Sequence, residues 1–132
     1  MQRQRISTDT PWESEYGYSR AVRSGPFVFV SGTTAADADG RVMACGDPYG
    51  QTVYILDKIG RALEACGARM SDVVLTRTYL INVDDWPHVA RAHAECFRDV
   101  RPAATLIEVR RLVDPRFLVE IEVQAVLDDE PR

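Results

Sequence analysis

The sequence predicts an α+β domain in which two helices cover one face of a mixed sheet. Three observations carry this. Leu118-Val119-Glu120-Ile121-Glu122-Val123-Gln124-Ala125-Val126 alternates strictly, the period-two mark of a strand with one apolar face. Val53, Leu56, Ile59, Leu63 and Cys66 recur at three- and four-residue steps, the stripe of an amphipathic helix. The predicted elements run β-β-α-β-α-β-β, an order that suits a sandwich of two helices against one sheet face. The other sheet face is then either wet or covered by another subunit.

Residues 1–15 show no clear period and read as an irregular lead-in. Tyr16 to Val22 is a short strand, Ser24-Gly25-Pro26 a turn, and Phe27 to Thr34 a strand rich in aromatic and β-branched residues. Gly32 inside that run marks a bulge or a close approach of ligand or backbone. Asp39-Gly40 is a turn. Asp47 caps a helix with Pro48 at its first position, and Gly67 stops it. Its polar face holds Asp57, Lys58, Arg61 and Glu64.

A long strand follows, from about Val73 to Val83, with Arg77 on the same face as Leu75 and Tyr79. A charge at mid-strand needs a carboxylate, a ligand or water. Asp84-Asp85 caps a second helix whose inner stripe is Val89, Ala90, His93 and Phe97. His93 there is a core or interface histidine, or else a base. Arg101-Pro102 releases the chain into a strand from Ala104 to Val109, and Asp114-Pro115 turns it into the last strand. Residues 16–127 form the domain, and 128–132 a polar tail.

The chain has 132 residues, enough for one domain with a real core, and a net charge of −4. That charge gives no electrostatic grip on nucleic acid or an anionic membrane. Lys58 is the only lysine, so anion sites here rely on arginine forks. Cys45, Cys66 and Cys96 are odd in number and widely spaced, which fits a reducing compartment and no metal cluster. His88 and His93 are five apart, not the four that stack two ligands on one helix face. No apolar run approaches membrane-spanning length and the first residues lack an apolar core. The expectation is a cytoplasmic protein without cofactor or metal.

The last strand poses a question. Glu120 and Glu122 share one face, within about 7 Å of each other. Like charges that close repel, and burial raises their pKa further. The face is open to water, lines a pocket, or meets cations.

Tyr18-Ser19-Arg20-Ala21, Phe29-Val30-Ser31-Gly32, Asp72-Val73-Val74, Arg101-Pro102-Ala103 and Val119-Glu120-Ile121-Glu122 occur in an order and spacing that resembles the RidA (YjgF-type) family. Its best-known members are small trimers that hydrolyse reactive enamines and imines. The resemblance spans Tyr16 to Leu127. It implies a chorismate-mutase-like homotrimer with small-molecule clefts between subunits. It implies that Glu120 positions the attacking water and that Tyr18, Ser31 and Gly32 line the cleft. In active deaminases an arginine follows the Pro-Ala pair and clamps the substrate carboxylate. Here that position is Ala104, followed by Thr105, and a methyl group cannot clamp.

Three readings follow. The protein is an imine or enamine hydrolase, or handles a related small carbonyl compound, with Arg77 replacing the clamp, unless Arg77 simply pairs with Glu120 or Glu122. Alternatively, the Glu120–Glu122 cleft takes a neutral or cationic ligand and does general acid–base chemistry. Or the protein is a trimeric ligand-binding module that has lost catalysis. Family members have also been labelled ribonucleases, but the acidic chain lacks a basic patch and paired catalytic histidines.

Overall fold

The computed structural model describes residues 2–8 and 10–128. The polar tail beyond Asp128 lies outside them. The elements are β1 (Arg3–Ile6), α1 (Pro11–Tyr16), β2 (Ala21–Ser24), β3 (Phe27–Thr33), α2 (Pro48–Ala65), β4 (Val73–Leu80), α3 (Trp86–Phe97), β5 (Ala103–Glu108) and β6 (Val119–Val126). One six-stranded sheet has the order β1-β2-β3-β6-β4-β5, with only β4 and β5 parallel. The two long helices pack on each other, and α2 lies across β3 and β6. From β2 onward the order is the expected β-β-α-β-α-β-β.

The alternation of β6 does what period two requires. Val119, Ile121, Val123 and Ala125 are buried under the helices, while Glu120, Glu122 and Gln124 stay on the other face. β6 pairs with β3 on one side and β4 on the other, so the last strand is central. Its entry is held by Gln51, fully buried on α2. The Gln51 amide donates to Arg116 O at 2.9 Å and its oxygen accepts from Leu118 N at 2.8 Å. A buried amide must find partners, and here they fix where β6 begins.

Several expectations are corrected. The lead-in is not irregular. β1 pairs with β2, and Glu13 of α1, 4% exposed, gathers Ser7, Thr8 and Thr10 around its carboxylate. Tyr16 ends a helix instead of starting a strand, because Gly17 at φ 84° turns the chain in a left-handed cap. Val53 is 43% exposed, and the buried stripe of α2 runs through Thr52, Ile55, Leu56, Ile59, Ala62 and Leu63. The stripe is rotated because α2 also covers α3. β4 stops at Leu80, and Asn82, not the aspartates, caps the turn before α3 by accepting from Asp84 N at 3.0 Å. Of the three free cysteines, Cys66 is buried and Cys45 and Cys96 are exposed.

His93 is a packing residue. Its Nε2 is 2.9 Å from Thr76 Oγ1, its ring is tilted on Phe97, and burial lowers its pKa.

Candidate functional site

β3 does not pair evenly with β6. The register shifts between Val30 and Thr33, so Ser31-Gly32 forms a bulge. The bulge ties down the approach to β2: Ser31 N donates to Arg20 O at 3.0 Å, and Ser31 Oγ to Ser19 O at 2.7 Å. Glu120 of β6 packs directly over Gly32. A Cβ built on Gly32 would collide with Glu120 Oε2 and stand 3.1 Å from its Cδ. Any side chain at this position would displace the Glu120 carboxyl from its place.

This wall belongs to a cavity of about 710 Å³. Glu120, Tyr18, Ser31 and Gly32 line it together, as the sequence suggested. Trp12 and Tyr16 of α1 line its mouth, so the supposed lead-in supplies part of the site. Burial raises the Glu120 pKa, Arg20 opposes that, and Glu122 adds to it. A carboxyl whose pKa is raised by burial inside a cavity is a better proton acceptor than an ordinary carboxylate and can return the proton.

The other four sequence candidates lie elsewhere in the chain. Arg77 and Glu122 face each other across β4 and β6, with Arg77 Nη1 3.8 Å from Glu122 Oε2. Tyr79 donates its hydroxyl proton to Glu122 Oε1, which raises the tyrosine pKa. Thr105 sits beside Arg77, and Ala104 beside Thr76, on the edge strand β5. Both are exposed. Within one chain, none of these four borders the cavity of Glu120.

Two cations that pattern reading missed do border it, Arg20 and Lys58. Arg20 is 3% exposed, donates Nη2 to Gly32 O at 2.8 Å and lies over the Tyr18 ring, Cζ 5.5 Å from its centroid. Lys58 leaves the polar face of α2 and donates Nζ to Thr34 O at 2.9 Å and Ala36 O at 2.8 Å. Burial, with help from Arg20, lowers its pKa to about 8. The available signal was that Lys58 is the lone lysine and that Arg20 stands in a stretch entering a strand. Among the described residues no group of histidine, cysteine, aspartate or glutamate could hold a metal ion. No described helix is long and apolar enough to cross a membrane.

Comparison with known proteins identifies relatives in sequence and fold. The family model described as Endoribonuclease L-PSP matches residues 8–127. An uncharacterized protein of Streptomyces coelicolor is 40% identical over 121 residues, 92% of this chain and 90% of that relative. The 3-aminoacrylate deaminase RutC of Acinetobacter baylyi is 33% identical over 104 residues, 79% of this chain and 82% of its own. The crystal structure of Rv2704 from Mycobacterium tuberculosis, a YjgF/YER057c/UK114 family member, superposes with a TM-score of 0.86. It is 40% identical and covers 96% of this chain and 100% of its own. By motif, fold and similarity along nearly its whole length, the chain belongs to the RidA/YjgF family, the group matched by the Endoribonuclease L-PSP model.

Proposed function

We propose that the cavity hydrolyses small reactive imines or enamines, with Glu120 as the catalytic carboxylate. The observation that carries this is the Glu120 carboxyl wedged over Gly32 on a cavity wall, with its pKa raised by burial. Glu120 takes a proton from water as the water oxygen bonds to the imine carbon. That proton passes to nitrogen to give a carbinolamine; its hydroxyl proton then follows to nitrogen by way of Glu120 as the carbon–nitrogen bond breaks, and ammonia and a carbonyl compound leave. An enamine first tautomerises to the imine. A relative of similar length is named as an aminoacrylate deaminase, which supports the same class of chemistry.

The working unit in this reading is a cytoplasmic homotrimer without cofactor. Phe27 is 50%, Phe29 44% and Ile107 46% exposed, a large apolar area for an uncovered sheet. Burying it between copies would bring the β5 of one subunit, with Ala104 and Thr105, toward the cavity of the next. A net charge of −4 argues against a polyanion such as RNA as substrate.

A second reading is a ligand-binding module without catalysis, favoured by the methyl of Ala104 where the deaminases of the resemblance carry a fork. The test is hydrolysis of imines generated in place by an amino-acid oxidase, with wild type, Glu120→Gln and Ala104→Arg. Acceleration by wild type that Glu120→Gln abolishes supports the hydrolase. Inert wild type and variants support the module. Activity gained only by Ala104→Arg means a hydrolase-competent cavity whose natural ligand is different.

A further inference from the structure

We propose that Lys58 is a nucleophilic amine on the cavity wall, which captures small aldehydes and ketones as a protein-bound imine. This rests on the cavity admitting small carbonyl compounds, but not on hydrolysis there.

Lys58 leaves the polar face of α2 half-buried and lines the cavity of about 710 Å³. Two backbone carbonyls hold its Nζ, Thr34 O at 2.9 Å and Ala36 O at 2.8 Å. An ammonium has three N–H donors, whereas a neutral amine has two and a lone pair. The two carbonyls match the neutral form. The third proton can leave without breaking either hydrogen bond, and the lone pair then takes its direction. Among the described residues no carboxylate lies within ion-pair distance of Nζ to hold that proton.

The surroundings favour the same form. Arg20 faces Lys58 from the segment entering β2, Glu13 from α1, Asp37 from the loop after β3, and Arg61 from the next turn of α2. The Tyr54 ring stands 6.0 Å from Nζ. Burial first, then Arg20 and Arg61, lower the Lys58 pKa to about 8, although Glu13 and Asp37 raise it. Desolvation beside another cation is a way in which proteins make a lysine nucleophilic near neutral pH.

The step needs no co-reactant. The Nζ lone pair adds to the carbonyl carbon and one amine proton moves to oxygen, giving a carbinolamine. The second amine proton follows as the carbon–oxygen bond breaks. Water leaves, a carbon–nitrogen double bond remains, and water reverses both steps. If that imine takes up a proton, its N–H can still donate to one of the two carbonyls. The rings of Trp12, Tyr16 and Tyr18 border the same space and offer surface to the apolar part of the captured compound.

Lys58 is the only lysine of the chain, so a single side-chain amine can react. The test treats the full chain and Nα-acetyl-lysine amide together with propanal and cyanoborohydride, which reduces the imine to a stable secondary amine. Peptide mass spectrometry separates a Lys58 adduct from one on the terminal amine. At pH 7.5 an amine of pKa about 8 is about one-quarter neutral, against about one part in a thousand for ordinary lysine. Its lower basicity offsets part of this, so Lys58 should be labelled about tenfold or more faster than the free lysine. That ratio should fall as pH rises from 7.5 to 10. A ratio of one or less at pH 7.5, or no adduct on Lys58, overturns the proposal and leaves Lys58 as a pin for the segment from Thr34 to Ala36. A ratio that does not change with pH overturns it too. Fast labelling in a protein that hydrolyses no imine leaves the Lys58 nucleophile standing while the hydrolase reading falls. Hydrolysis without fast labelling does the reverse.

Discussion

Gly32 and Glu120 share one space: the Glu120 carboxylate lies where any side chain on Gly32 would have to be. The bulge of β3 and the central place of β6 bring them together. Gly32→Ala therefore pushes the carboxyl out of position. Because the clashing atoms end a flexible side chain beside a cavity, the expected cost in stability is small, about 0.5–1.5 kcal/mol, that of moving the side chain off its rotamer. Imine hydrolysis should fall about tenfold or more while the circular dichroism spectrum stays native. An unchanged rate would mean that Glu120 need not stand where it does.

Glu120→Gln tests the carboxyl itself. Loss of a general base typically costs about 10²–10⁴ in rate. The wild-type rate should rise with pH through the elevated Glu120 pKa, and this limb should vanish in the variant. Stability should move the other way. A carboxyl with a raised folded pKa favours the folded state most below its unfolded value, and that advantage is lost as pH rises through the folded value. Chemical denaturation at pH 7 should therefore find Glu120→Gln more stable than wild type, with the gain disappearing in acid.

Lys58 should show an opposite pH dependence. Its folded pKa is about 8, below the ordinary 10.5, through burial and Arg20, with Arg61 also lowering it and Glu13 and Asp37 raising it. Between those two values the unfolded chain holds the proton that the folded chain has released, so stability rises with pH. Wild type should gain on Lys58→Met from pH 8 to pH 10, as read by urea denaturation. A constant gap across that range would show that the amine is effectively in water.

Glu13 should act as the knot of the N-terminal strap. Burial pushes its pKa up, but hydrogen bonds from Thr8, Thr10 and Ser7 outweigh this, and the net shift is downward. The stability it contributes is present above the ordinary carboxylate pKa and lost as pH falls through the lowered one. Glu13→Gln replaces an acceptor with a donor and should cost about 1–3 kcal/mol at neutral pH. The cost should shrink in acid, and hydrogen exchange should quicken in residues 3–16 at neutral pH.

Arg77 is expected to matter little. The pair with Glu122 is 3.8 Å long, and its side chains are 42% and 33% exposed. Such pairs contribute about 0–1 kcal/mol. Arg77→Met should shift stability by no more than that and leave hydrolysis within about twofold, since this rests on a surface-type pair. A large loss of activity would put Arg77 back as the clamp.

The strand faces, the two long helices and their order were legible because each rests on a local period. The split of β6 into a buried row from Val119 to Ala125 and an outer row with Glu120 follows from alternation alone. The family resemblance leads us to expect Glu120, Tyr18, Ser31 and Gly32 in one cleft, and the four line one cavity. What tertiary structure alone decided is that β6 lies between β3 and β4, which sets Glu120 over Gly32 and Glu122 against Arg77 and Tyr79. It also decided the cation pair. Arg20 and Lys58 read as solvent-facing charges in any local pattern. In the fold both border the cavity, Arg20 buried and Lys58 half-buried, while the polar segment of Ser7, Thr8 and Thr10 folds around Glu13. That fold-back is held by hydrogen bonds between polar side chains, which leave no hydrophobic period to read.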